Sequence, residues 1–225
     1  MPNDSKSRCD VSGGSPPQRV AVRRATERAM RGLQFAGPVA VTIGRPDDAP
    51  AGTEAGANYG GTVWVARSTV RQGEPRLGWI LSEEVAHVYL AERFGIPHNG
   101  TFIEVLIQEL FGAWAQYREY VLAGRIPESW LTTTPVMRLP PTPARDLPPR
   151  LGYQLGKHMA AAALGSRANE AHLRDWASDP AIADDLKEVV GVLLRGLPWG
   201  GSPAELGGAV QQFYVALGGS VAQAS

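Results

Sequence analysis

Cysteine is almost absent from this chain of 225 residues: Cys9 is the sole one, so no internal disulfide can staple the fold. Net charge is lacking too. The 22 basic residues balance 22 acidic ones, for a formal charge of zero, which argues against nucleic acid or an anionic membrane as the principal partner. No apolar run approaches the ~20 residues that a membrane span needs. The opening residues hold no apolar core of the kind a secretory signal requires, so a cytoplasmic protein is the expectation. What remains is an ordinary globular balance, 44% apolar and 20% charged, at a length able to bury a sizeable core.

Along the chain, residues 1–15 read as a disordered polar leader. Ser15-Pro16-Pro17-Gln18 is a helix start, with Ser as N-cap, Pro at the first helical position and Gln three residues on. The helix it opens runs to about Gln34, with Val20, Val22, Ala25, Ala29, Met30 and Leu33 on its apolar side. Val39–Ile43 and Thr62–Ala66 are strands by their β-branched content, separated by a long Gly-, Pro- and Asp-rich loop over 44–61. Two long helices follow, at about 76–94 and 101–123. A proline-rich connector covers 135–149, and four helices are expected beyond it, near 150–165, 167–177, 181–195 and 203–217. The fold class is α+β and mostly helical: a small sheet packed on the helix at 76–94 within an α+β region, 16–134, then a helical region, 150–225.

The run Glu83-Glu84-Val85-Ala86-His87 stands out because its surroundings, Trp79 to Ala91, are otherwise apolar save for Ser82. An all-apolar helix is normally buried, and ionisable groups there cost several kcal/mol each, as an order of magnitude, unless paired. A bound cation would satisfy all three. Glu83 and His87 are four residues apart and so share one helix face, the geometry by which a helix offers two ligands to one metal. The bland alternative is a solvated helix face. On the next helix, Glu104 closes a Thr101-Phe102-Ile103-Glu104 capping box. Glu109 falls on the apolar stripe of Phe102, Leu106, Ala113 and Tyr117 and needs a partner. It is the candidate third ligand, with a salt bridge to an Arg as the competing explanation.

These residues resemble the gluzincin branch of the zincin metallopeptidases, in which a His-Glu-x-x-His helix is followed about 20 residues later by a liganding Glu on a second helix. Here His87 and Glu109 are 22 positions apart, and Glu109-Leu110-Phe111-Gly112-Ala113-Trp114 is similar to the segment around that ligand. The likeness covers roughly residues 18–123 and rests on order and spacing. It implies metal ligands at positions 83, 87 and 109, a general base at Glu84, and an edge strand over Gly60–Ala66 bordering the cleft. It also implies a later Tyr, for which Tyr153 is the candidate, donating to the tetrahedral intermediate; core packing is the plainer role for that Tyr. The departure is Glu83, where the family has His. A Glu/His/Glu set suits Zn²⁺ first and Fe²⁺ or Mn²⁺ as alternatives.

Three functions follow as expectations. The first is a metal-dependent hydrolase of peptidase or amidase type, acting on a peptide or small molecule. The second is an inactive scaffold of the same shape that binds a partner protein. The third is a non-haem iron protein built on Glu84-x-x-His87, which would need a second such motif. His98, in a Pro-His-Asn-Gly turn, and His172, on a charged helix, read as surface residues. Trp79 and Trp114 read as core.

Overall fold

The structure is a computed structural model that describes residues 9–49, 51–58, 61–97, 100–127, 142–143 and 146–221. Local capping chemistry sets the first helix, α1 (Pro16–Gly32): Gln18 Oε1 accepts from the Ser15 amide at 2.8 Å, and Pro16 fills the first turn, where no amide partner is needed. Its buried side carries Val22, Ala25, Thr26, Ala29 and Met30, with Leu33 just beyond, whereas Val20 is half exposed. The expected apolar face is therefore rotated slightly, with Thr26 inside because its hydroxyl donates to Val22 O.

Four strands form one sheet in the order β1-β2-β4-β3: β1 (Cys9–Gly13), β2 (Val39–Ile43), β3 (Ala55–Asn58) and β4 (Thr62–Val65). β1 and β2 are parallel, β2 and β4 are parallel, and β3 runs antiparallel to β4. Three expectations are corrected here. Residues 9–13 are not a disordered leader but an edge strand, in register Cys9↔Val39 through Gly13↔Ile43. With Cys9 its sole buried residue, that strand is held by main-chain pairing and by burial of Cys9. The region 44–61 contains a strand, β3, whose Ala and Gly residues carry little β propensity. The strand at 62–65 is interior, and β3 takes the outer edge that the resemblance assigned to it.

A short helix, α2 (Arg67–Gln72), leads into α3 (Arg76–Phe94), which matches the expected bounds and is buried without a break from Leu77 to Leu90. Gly95 ends α3 in the left-handed conformation, φ 65°, with its amide on Ala91 O. Helix α4 (Phe102–Gln116) passes into a π-helical turn over Tyr117–Val121. The remaining helices are α5 (Pro149–Ala163), α6 (Arg167–Ser178), α7 (Asp184–Gly196) and α8 (Pro203–Ala216). The 135–149 connector lies for the most part outside the described residues.

Among the described residues the result is α+β, about 61% helical with a small four-stranded sheet. α3 is packed against by α1, β3 and β4 and by α4, and α5 lies along α4. That last approach is close because of glycine: a Cβ at Gly156 would stand 2.7 Å from both Leu106 O and Leu110 N. One apolar core runs from Cys9 to Tyr214, so the region after the connector shares the core of the region before it. Among the described residues no helix is long and apolar enough to cross a membrane.

Candidate metal centre

Three helices converge on one point. α3 brings Glu83 and His87 from successive turns, α4 brings Glu109, and one ligand atom from each lies within 4.8 Å of the others. All three side chains are buried. Gly112 makes the approach of α3 to α4 possible at this level, since a Cβ there would come within 3.1 Å of Glu83 Cγ and 3.0 Å of His87 Cε1.

The histidine is oriented by a second residue of α4. Gln108, fully buried, donates its amide to Ile96 O at 2.8 Å, which turns Oε1 toward the His87 ring. Oε1 is an acceptor and lies 3.1 Å from His87 Nδ1, so Nδ1 carries the proton and donates it. In the neutral ring Nε2 then holds the lone pair, facing Glu109 Oε1 at 3.6 Å. A carboxamide fixing the ligand nitrogen in this way is the support a metal-binding histidine needs. Glu83 is held similarly, because Gln116 Nε2 donates to its Oε2 at 2.6 Å and to Trp79 O at 3.1 Å.

A fourth helix-borne group completes the cluster. Lys157 of α5 places Nζ 2.7 Å from Glu83 Oε1 and 3.3 Å from Glu109 Oε2. The partner expected for Glu109 as the alternative to metal was an arginine; a lysine stands there instead. Glu109 Oε2 is buried and makes no well-directed hydrogen bond among the described residues, so it is held at ion-pair distance alone.

The charges divide unequally. Burial by itself would raise the Glu83 carboxyl, but the Lys157 charge, the attraction of the His87 ring when protonated, and the Lys157 hydrogen bond outweigh it and hold Glu83 below its ordinary value. For Glu109 burial dominates, the Glu83 charge adds to it, and Lys157 offsets only part, so this carboxyl is raised. Glu84 is raised well above 4.5, first by burial and then by the charges of Glu83 and Glu109. Lys157 is raised because its attraction to Glu83 and Glu109 exceeds its desolvation. The metal-free site thus holds one ion pair, Glu83–Lys157, flanked by two carboxyls, Glu84 and Glu109, whose burial favours the protonated form.

The other candidates fall as follows. Glu104 does close the capping box on Thr101, with its Oε2 accepting from the Thr101 amide at 2.8 Å, and its second oxygen accepts from Tyr214. Tyr153 is not a core residue, being 43% exposed on the face of α5 one turn before Lys157. Its phenol is raised by burial and then by the charges of Glu109 and Glu84. His172 is half-buried rather than on the surface, its ring edge-on to buried His158 at 5.6 Å. Trp79 and Trp114 are buried as expected. His98 lies outside the described residues.

Sequence reading missed Lys157, Gln108 and Gln116. Each carried a faint signal, a polar residue interrupting an apolar helical stretch, but no spacing rule links Lys157 to a glutamate so distant in the chain. No protein-family model matches this chain, and neither does any curated protein or solved structure.

Proposed function

We propose that Glu83, His87 and Glu109 hold a divalent metal ion, Zn²⁺ in the first instance, and that the protein is a metal-dependent hydrolase of peptidase or amidase type. The observation that carries this reading is the convergence of the three ligand atoms within 4.8 Å, with Gln108 turning the His87 Nε2 lone pair toward that point. The succession of a sheet, a buried helix packed on it and a second helix bearing Glu109 is also the order that the gluzincin resemblance implies.

The ion would supply a polarised carbonyl and a water of lowered pKa. Two carboxylates among its ligands leave it a weaker Lewis acid than a set with two imidazoles, which favours slow turnover or an activated substrate. Glu84 is the proton carrier: it takes the proton of the attacking water and hands it to the departing amine. A carboxyl raised above its ordinary value by burial suits that task better than a free one, because a base strengthens as its pKa rises toward the working pH. Tyr153, one turn before Lys157 on α5, would donate its phenol hydrogen to the carbonyl oxygen as charge develops there.

The discriminating experiment is Glu84→Gln in Zn²⁺-loaded protein, with cleavage of a peptide mixture followed by mass spectrometry. Loss of cleavage at unchanged metal content supports the reading, and unchanged cleavage rejects it. A second reading, a scaffold that no longer uses metal, is favoured by one observation: Lys157 already neutralises Glu83. Under that reading the wild-type protein cleaves nothing and Glu84→Gln leaves its binding function intact.

A further inference from the structure

Lys157 occupies the part of the site that an ion would need. Of the two Glu83 oxygens, Oε2 is committed to Gln116 at 2.6 Å. Oε1 is the oxygen left for a metal, and it is the one that Lys157 Nζ contacts at 2.7 Å. The same ammonium lies 3.3 Å from Glu109 Oε2, so it spans two of the three proposed ligands. An ammonium is a fixed positive charge with three donors and nothing to offer a cation. At such separations it repels a divalent ion strongly, and water screens little of that repulsion among buried carboxylates.

The lysine is also free to leave. Its side chain is 37% exposed, in contrast to the buried glutamates it bridges, and it lies one helical turn beyond half-exposed Tyr153 on α5. The long stem can therefore swing its head into water while its backbone stays packed on α4 through Gly156.

Resting on the metal reading above, we propose that Lys157 is a resident cation that competes with the metal: the site is closed by the lysine when empty, and metal enters only as the ammonium swings out. The lysine thus sets the metal concentration at which the site fills. It holds the carboxylates together in the empty protein and opposes the ion that replaces it.

The chain has three lysines, Lys6, Lys157 and Lys187, which makes the movement easy to follow. Two measurements on the full chain test it. Calorimetric titration with Zn²⁺ and with Mn²⁺ compares wild type and Lys157→Met; the variant is expected to bind at least ~10-fold tighter, a shift of about 1.4 kcal/mol. In the wild type, acetylation of Lys157 by an amine-reactive ester, mapped by mass spectrometry, is expected to rise on adding Zn²⁺ while that of Lys187 stays constant. Binding by wild type with equal or weaker binding by a folded Lys157→Met protein overturns the competition and leaves the metal site standing. If Lys157→Met fails to fold, constant acetylation of Lys157 across a Zn²⁺ titration that demonstrably fills the site overturns it instead. Absence of binding by both proteins rejects the metal reading, and this inference with it.

Discussion

The two glutamates of α4 illustrate how position alone separates roles for one residue type. Glu104 is a cap, bonded to the Thr101 amide and to Tyr214, while Glu109 five residues later is buried beside His87 and Lys157. Glu109→Ala is therefore expected to abolish Zn²⁺ binding. Glu104→Ala should keep it and lose roughly 1 kcal/mol of stability, the usual worth of a cap; isothermal titration and urea unfolding on both variants separate the two, and an exchange of outcomes would assign the wrong glutamate. Glu109 also makes a prediction about pH. Its carboxyl is raised above 4.5 in the folded protein, so above that pH the native state retains a proton that the unfolded chain releases. Metal-free stability then falls as pH rises from the ordinary carboxylate range toward the raised native value, and Glu84 acts in the same sense. Glu83 acts oppositely, stabilising above 4.5 and losing that contribution as pH falls through its lowered value. Urea midpoints at about pH 5 and about pH 8 should show a decline in wild type that is smaller in Glu109→Gln; an equal decline would contradict the assignment. The Glu83/His87 pairing was legible in sequence because the helical repeat fixes which residues share a face. Lys157 was not, because its partners belong to other helices.

At the scale of elements, the close seating of α5 on α4 decides whether Lys157 reaches the site at all. A Cβ at Gly156 would meet α4 backbone, at Leu106 O and Leu110 N, and would also press on Glu109 Cβ at 2.9 Å. Backbone cannot rotate aside as a side-chain tip can. Gly156→Ala should thus destabilise by about 1–3 kcal/mol, the scale of overpacking, even though alanine is intrinsically the better helix former by about 1 kcal/mol. Urea unfolding gives the sign directly, and a neutral or stabilising result would show that the two helices can separate at no cost. Gly112 is a milder case, since its neighbours are the His87 and Glu83 side chains. Capping boxes made the starts of α1 and α4 readable in advance. β1 and β3 were unreadable for a common reason: both are outer strands of small or polar residues whose pairing partners, not their own side chains, make them strands.

For the whole molecule, the sheet and helices serve to bury a helix that carries two carboxyls and an imidazole, an arrangement costly enough that something must compensate it. In the empty protein the compensation is Lys157 against Glu83, while burial raises the Glu84 and Glu109 carboxyls and so disfavours further charge there. In the proposed metal-bound state a divalent ion would take that place. α+β architecture, the bounds of α3 and the Glu83/His87/Glu109 grouping could be drawn from periodicity and from polar residues in apolar stretches. The way α5 closes the site could not, because a long proline-rich segment separates it from α4 and local pattern says nothing about packing across such a gap. The most direct test is Zn²⁺ stoichiometry by elemental analysis after equilibration with excess ion and removal of unbound metal, on wild type, Glu83→Ala, His87→Ala and Glu109→Ala. Wild type should retain one equivalent and each variant should lose it while staying folded by circular dichroism; a wild type that retains none, or variants that retain as much as wild type, would contradict a metal centre at Glu83, His87 and Glu109.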